Sequence, residues 1–173
     1  MKLVVEYIQQ IQQFYHKEKD MRAGTFKLEC NIELVTTDHY TGEVKDRSEI
    51  KNDIVNVGLE EIAKLLNGVD TTYFKAIAIG TGNTAVTTSD TALETEVARE
   101  LATLSYEADY KAKFVKVFTF GSGVSYTIKE VGIFNNSTSG GVMFNRAIDA
   151  GKAVDANTDL TATITITASE AVA

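Results

Sequence analysis

The 173-residue sequence has no proline and no tryptophan, one cysteine and two histidines. Without proline, its turns must be made by Gly, Asn, Asp and Ser. A single cysteine, Cys30, excludes an internal disulfide, so the fold does not require an oxidising compartment. Cys30 lies on the apolar side of the alternating segment FKLECNIEL, which predicts a buried thiol and not a nucleophile. Both histidines, His16 and His39, lie in polar segments and predict neither a zinc site nor a nucleophile with its base.

Long apolar runs and clusters of basic residues are missing as well. No segment approaches the roughly 20 apolar residues of a membrane span, and the apolar run near the N-terminus is too short for a signal peptide. The formal net charge of -7 disfavours binding to nucleic-acid phosphates. Apolar residues make up 44% and charged residues 24%, which is typical of a folded globular protein. We therefore expect a protein made in a cytoplasm, with neither nucleic acid nor membrane as a partner.

The first 24 residues have the spacing of an amphipathic helix, with glutamines opposite an apolar stripe. The stripe consists of Val4, Ile8, Ile11, Phe14 and Tyr15. A charged link that ends at Gly24 follows, and it leaves two possibilities open. Either the helix packs on its own domain, or it is an arm whose stripe contacts a partner. We predict an arm over residues 1–24 that acts as an assembly interface.

From Thr25 onward the apolar period changes to two, which predicts β-strands. The segment FKLECNIEL alternates in this way, and so does DLTATITITAS, in which Leu160, Ala162, Ile164 and Ile166 alternate with threonines. Gly- and Asn-rich turns separate hairpins in the second half of the chain. The expected fold class is mainly β: an antiparallel β-sandwich over residues 25–173 with one or two helices, preceded by the helical arm.

One helix is predicted in KNDIVNVGLEEIAKLLNG. Asn52 or Asp53 is its expected N-cap, and Gly68 is expected to end it in a left-handed conformation. The apolar residues that share one helical face are Leu59, Ile62, Ala63 and Leu66. Next, YFKAIAIG predicts a short strand in the middle of a sheet.

The stretch IAIGTGNTAVTTSDTALETEV fits the glycine pattern of a dinucleotide-binding turn. That function requires a helix that begins at the second glycine, Gly82, inside a strand-helix-strand unit. Here β-branched residues follow Gly82, and the surrounding units are hairpins. We therefore expect Gly80, Gly82, Ser89 and Asp90 to form a surface loop without a ligand, with a short helical turn that begins at Ser89.

Acidic residues suggest two further sites. Asp155, Asn157 and Asp159 are spaced like the start of a calcium loop, but Leu160 replaces the required glycine and Ile166 the required bidentate glutamate. An enzyme hypothesis would combine Asp155, Asp159 and Glu130 in one pocket. Because no complete set is present, we predict no catalytic residues, no metal and no cofactor.

Four segments in order carry a family resemblance: NDIVNVGLEEIAKLLNG, FKAIAIGTGNTAVTTSDTALETEVAR, YTIKEVGIFNNSTSGGVMFNRA and DLTATITITAS. Together they resemble small virion structural proteins of tailed bacteriophages, the tail-fibre-like and head-decoration-like β-sandwich proteins, over about residues 52–168. The resemblance implies a non-enzymatic virion component that is made in the host cytoplasm. Its expected partners are further copies of itself, for example in a trimer, and other virion proteins such as capsid or tail proteins.

Exposed aromatic residues keep a second hypothesis open. A glycan-binding β-sandwich module of a tail fibre, involved in host attachment, would expose aromatic side chains on the rim of its loops. Tyr40, Tyr73, Tyr106 and Tyr110 are the candidates for such a rim.

Overall fold

A computed structural model describes residues 25–171 of the chain, and the predicted arm with its stripe lies outside the described residues. Ten strands and one helix follow one another within residues 25–171. They are β1 (Thr25–Asp38), β2 (Val44–Lys51), β3 (Asp53–Ile54), α1 (Asn56–Asn67), β4 (Ala76–Gly80), β5 (Glu96–Leu101), β6 (Thr103–Glu107), β7 (Lys111–Phe118), β8 (Ser125–Phe134), β9 (Met143–Asp155) and β10 (Thr158–Ala171).

The strands form two five-stranded antiparallel sheets, which confirms the mainly β, sandwich-like fold. The first sheet has the order β2-β1-β10-β7-β6, and the second has the order β3-β9-β8-β4-β5. The chain divides into a main unit, Glu29–Thr167, and a smaller unit of Met1–Leu28 and Ala168–Ala173. In the smaller unit, the described residues 25–28 and 168–171 are extended.

The main core lies between the inner faces of the two sheets. In the first sheet, the predicted alternation is confirmed, because its apolar positions are buried; they include Cys30, Ile32, Leu34, Phe114, Phe118, Leu160, Ala162 and Ile164. The second sheet contributes Ile77, Ile79, Val131, Ile133 and Ala147. Burial of these branched and aromatic side chains is the main contribution to the stability of the fold.

A second, smaller core covers the outer face of the second sheet. It contains Val55, Ala78, Leu93, Phe134 and Met143, with Val57 packed against it. This core is formed by α1 and by residues 81–95, the loop between β4 and β5, here called the 81–95 loop. Both faces of β4 are therefore buried, which explains why its sequence AIAIG is continuously apolar.

The helix differs from its predicted form in two ways. It begins at Asn56 after Val55, without a side-chain cap, because Asp53 belongs to β3 and pairs with β9. Its buried face contains Gly58 and Glu61, whereas Leu66 is 83% exposed. The physical reason is Gly58: a Cβ there would overlap the backbone of β9, so this side of the helix makes the close contact. Its C-terminal end, with a left-handed glycine, is as predicted.

The segment after the 81–95 loop, ARELATLSYEADYKAKFVKVFTF, has a pattern that predicts one strand, a bend at Ala108-Asp109 and a long strand. The structure differs in the first of these strands. The chain crosses from one sheet to the other at Ala102, whose N–H donates to the carbonyl oxygen of Lys75 at 2.9 Å. Leu101 pairs in the second sheet and Thr103 pairs in the first. One predicted strand is therefore divided into β5 and β6, which are the edge strands of the two sheets.

Candidate functional site

Glu130 in β8 is a charged side chain that is 0% exposed. Its Oε1 accepts hydrogen bonds from the backbone N–H of Gly82 at 3.1 Å and of Thr95 at 2.7 Å. Its Oε2 accepts from the backbone N–H of Glu94 at 2.9 Å and from Nε of Arg146 at 2.9 Å. One carboxylate therefore binds both ends of the 81–95 loop. A buried charge requires such complete pairing.

Arg146 in β9 lies beside Glu130 on the outer face of the second sheet, and its side chain is 3% exposed. One terminal nitrogen donates to Asp90 Oδ2 at 2.9 Å, and the other lies 3.6 Å from Glu94 Oε2. Burial alone would lower the pKa of Arg146, but the hydrogen bonds to Asp90 and Glu130 outweigh it and raise the pKa. Arg146 therefore stays charged, and it joins three carboxylates from the sheet and the loop.

The two loop carboxylates also fix the loop backbone. Glu94 Oε2 accepts from the N–H groups of Asn83 and Thr84, each at 2.9 Å, and these bonds, with the charge of Arg146, lower the pKa of Glu94. Burial would raise the pKa of Asp90, but hydrogen bonds from Thr87 and Arg146 lower it. Both acids are therefore ionised and occupied by partners of this chain at neutral pH.

The spacing of Gly80 and Gly82 follows from the position of Glu130. A Cβ at Gly80 would lie 2.5 Å from Glu130 Oε1, and a Cβ at Gly82 would lie 2.6 Å from the same atom. Both distances are shorter than van der Waals contact, so a larger residue at either position would displace the carboxylate. The glycines allow a close approach of backbone to a side chain. In a dinucleotide site, the same feature would admit a phosphate.

These contacts determine what the site can do chemically. A general base needs a lone pair that can reach a substrate proton, and a phosphate site needs free N–H donors. Here Glu130 accepts four hydrogen bonds, and the N–H of Gly82 donates to that carboxylate. The arrangement is a loop clamp, and we call Glu130, Arg146, Asp90 and Glu94 the loop clamp from here on.

The four predicted loop residues are found in different environments. Gly80 is the last residue of the buried strand β4, and Gly82 is buried, so neither is at the surface. Ser89 is exposed, and Asp90 is partly buried against Arg146. No helical turn begins at Ser89, because Asp90 bonds back to Thr87 and forward to Arg146 and so holds the chain in turns.

Sequence reasoning missed Arg146 and the role of Glu94. An arginine within the apolar strand segment VMFNRAI was the available signal, since a buried arginine requires an acidic partner. Glu130 was considered, but as a member of a pocket with Asp155 and Asp159.

The structure does not bring those three acids together. Asp155 accepts from the N–H of Asn157 and from Thr158 Oγ1, both at 2.9 Å, in the turn between β9 and β10. Asp159 bonds His39 Nδ1 at 2.9 Å. Within residues 25–171, no group of three His, Cys, Asp or Glu side chains is arranged to hold a metal ion.

The one buried thiol behaves as predicted. Cys30 is buried, and burial raises its pKa to about 12 despite the hydrogen bond that Asn145 Nδ2 donates to its Sγ at 3.3 Å. A thiol with this pKa is protonated at neutral pH and is a poor nucleophile.

A shallow cleft of about 390 Å³ lies beside the Asp155 turn and is lined by Thr36, Asp46 and Thr158, among others. Lys45, which also lines it, donates to the carbonyl oxygen of Asn157 at 2.8 Å and to Thr158 Oγ1 at 3.0 Å. The positively charged side chain that lines the cleft, Lys45, is therefore already hydrogen-bonded to acceptors of this chain.

Two groups of neighbouring exposed apolar side chains lie on the main unit, besides single ones such as Val44 and Val117. Leu59, Leu66 and Val69 are exposed on and just after α1, and Leu101, Leu104 and Tyr106 are exposed along β5 and β6. Exposed apolar groups that lie next to one another are typical of surfaces that contact another molecule.

In the described part of the chain, no helix is long and apolar enough to span a membrane. Comparisons with protein families, with curated proteins and with solved structures find no match to the chain. The family resemblance therefore stays a prediction.

Proposed function

We propose that this chain is a non-enzymatic structural component of a tailed bacteriophage virion that assembles in symmetric copies. The observation that supports it best is the loop clamp, in which Glu130 occupies the N–H donors that a ligand of the 81–95 loop would need. A charged network with this geometry fixes a loop against a sheet. Rigid loops and sheets suit a subunit whose task is to present fixed surfaces to its neighbours.

The resemblance supports the virion part of the proposal. Its four segments contain α1, β4 with the 81–95 loop, the hairpin of β8 and β9, and most of β10, and up to residue 167 they belong to the main unit. Two locations on the particle are compatible with the proposal: a capsid decoration protein, or an adaptor of a fibre or tail. Copies on a particle multiply weak contacts, so that modest interfaces suffice in the assembly.

Co-sedimentation with intact virions or capsids, combined with light scattering on the full chain, tests this proposal. The informative variant replaces the apolar stripe of the arm, with Ile8→Ser and Ile11→Ser. Its matched control changes the opposite side, with Gln9→Ser and Gln12→Ser. We expect the unaltered chain and the control to form oligomers and to sediment with particles, and the stripe variant to lose sedimentation with particles and to form smaller oligomers.

If the full chain stays monomeric at every concentration and does not sediment with particles, the structural function is wrong. If the stripe variant behaves like its control, symmetric assembly stands, but residues 1–24 do not mediate it.

One observation favours a glycan-binding module as the alternative. Tyr40, Tyr73, Tyr106 and Tyr110 are all exposed. However, Tyr40 follows β1, at the end of the first sheet where β10 begins. Tyr110 precedes β7 and lies near Thr167, at the opposite end of the same sheet. These two residues therefore do not share a rim. Binding to a glycan array, abolished by replacing one tyrosine with alanine in a monomeric chain, would favour the module over the virion component.

A further inference from the structure

The outer edge of β6 has no pairing strand within the described residues. This strand is the last of the first sheet, and within the described residues it pairs with β7 alone. All five of its residues are exposed. An edge strand presents a row of backbone donors and acceptors that can pair with another chain.

The side chains of β6 on the inner face are apolar and uncovered. Leu104 lies opposite Phe114, and Tyr106 lies opposite Ala112. Phe114 is buried between the sheets, whereas Leu104 is 42% and Tyr106 is 75% exposed. The inner face of the first sheet therefore extends past the cover that the second sheet provides. Leu101, at the end of β5, is exposed next to this edge.

The opposite edge of the same sheet has a different character. Five of the eight residues of β2 are charged. Several of these charges are already engaged: Arg47 pairs with Glu33, and Asp46 accepts from Lys152 Nζ at 2.8 Å. A charged edge strand is the usual protection against edge-to-edge association. In β6, by contrast, Glu107 is the one charged residue, and it lies at the end of the strand.

We infer that β6 is the edge through which two copies of this chain pair, antiparallel, about a two-fold axis at Ser105. This inference rests on the proposed symmetric assembly and names one of its contacts, in addition to the predicted arm. With Ser105 opposite Ser105 of the second copy, Leu104 falls opposite Tyr106 and Thr103 falls opposite Glu107. Each uncovered apolar residue thereby gains an apolar neighbour across the interface, and the two strands are self-complementary, as a two-fold contact requires.

The charges agree with this register. Glu107 faces Thr103 of the second copy and not another acid, and its ion pair with Lys113 at 2.9 Å lies within one copy. Pairing β2 with itself would instead place charged residues throughout the contact. In an antiparallel register whose axis lies between Arg47 and Ser48, Asp46 would face Glu49, and like charges directly opposite each other destabilise a sheet.

Disulfide trapping tests the register. Residues directly opposite in an antiparallel pair have Cα atoms about 4.5 to 5.5 Å apart, which fits a disulfide. Thr103 would lie about 13 Å from Thr103 of the second copy, since four residues separate the two positions along the strand. We expect Ser105→Cys to give a covalent dimer under mild oxidation, and Thr103→Cys to give none. The unaltered chain is the background control, because Cys30 is buried.

Introducing a negative charge at the centre of the contact tests the association itself by light scattering. Ser105→Glu places two carboxylates opposite each other across the axis, but within one copy it lies opposite Lys113, so the monomer fold is spared. The matched control is Ser139→Glu, the same change in the exposed turn between β8 and β9. We expect Ser105→Glu to weaken self-association at least tenfold, and Ser139→Glu to leave it unchanged.

The outcomes separate the two proposals. If the chain self-associates or binds particles, but Ser105→Glu has no effect and Ser105→Cys does not cross-link, the β6 contact is wrong and the assembly function stands. Equal cross-linking at positions 103 and 105 overturns the register. If the unaltered chain neither self-associates nor binds particles, both proposals fail.

Discussion

Replacing Glu130 by glutamine removes one charge from the loop clamp with almost no change in shape. The carboxylate accepts four hydrogen bonds, and a glutamine amide has one oxygen and one NH₂ group in the same places. In either orientation, two N–H donors of the chain then face an NH₂ group. The orientation that keeps the oxygen on Arg146 and Glu94 satisfies the cationic donor, so it leaves Gly82 and Thr95 without an acceptor.

The expected cost follows from these two donors. An unsatisfied buried donor costs about 1 to 3 kcal/mol. The bond from Gly82 is buried and the bond from Thr95 is partly buried, so Glu130→Gln should lower the free energy of unfolding by about 2 to 4 kcal/mol. Domains of this kind have a total stability of about 5 to 15 kcal/mol.

Urea unfolding monitored by circular dichroism measures this loss, together with amide hydrogen exchange. At a slope of about 2 kcal/mol per molar urea, the midpoint should fall by about 1 to 2 M. The amides of Gly82 and Thr95 should lose protection, while that of Glu94 keeps it. The control is Glu100→Gln, which breaks a partly exposed ion pair with Lys116 and should cost at most about 1 kcal/mol.

The loop clamp does not stabilise the fold in this way if Glu130→Gln costs no more than Glu100→Gln. The same conclusion follows if the exchange of Gly82 and Thr95 does not change. A double variant, Glu130→Gln with Arg146→Met, provides an independent check. Because both buried charges are removed together, its loss should be smaller than the sum of the two single losses.

Three other measurements check separate parts of the fold. Gly58→Ala should lower stability by about 1 to 3 kcal/mol, because the new Cβ overlaps the backbone of β9, whereas Gly121→Ala, which meets nothing within 4 Å, should leave it within about 0.5 kcal/mol. Cys30 should not react with a disulfide reagent at about pH 8 in the native state but should react in urea, because its pKa is raised to about 12 by burial. Asp38 should titrate at about 2 by NMR, since the backbone N–H of Thr41 lowers its pKa first of all. The stability that this group contributes is present above its unfolded pKa of about 3.9 and is lost as the pH falls through about 2, so Asp38→Asn should flatten the stability profile in that window.

Strands with one buried face were the elements predicted most accurately from the sequence. In β1 and β10, apolar residues such as Ile32 and Ile164 alternate with polar ones, because the outer face of the first sheet is open to solvent. Period-two patterns arise from this asymmetry. The C-terminal end of α1 at Gly68 was predicted equally well, because the left-handed backbone conformation there favours glycine.

Elements with two buried faces were harder to predict. The outer face of β8 lies under the 81–95 loop, so Glu130 and Phe134 are buried on that side while Ile133 is buried on the other. Apolar residues then occur at successive positions, and the alternation disappears. The helix was assigned the wrong buried face for a related reason: Gly58 permits a close contact that a scale of side-chain hydrophobicity does not detect.

The glycine pattern at positions 80 and 82 shows why the site could be recognised only in the three-dimensional structure. A G-x-G spacing after a strand indicates that something approaches the backbone closely, but it does not say what. In nucleotide-binding proteins the approaching group is a phosphate, which the N–H donors of a helix N-terminus bind. Here it is the carboxylate of Glu130, 48 residues beyond Gly82 in the sequence and held in place by Arg146. Because a carboxylate and a phosphate can both accept hydrogen bonds from the same N–H groups, the local amino-acid sequence cannot distinguish an internal clamp from a ligand site. The distinction comes from a buried acid on the neighbouring strand, and that pairing is set by sheet register.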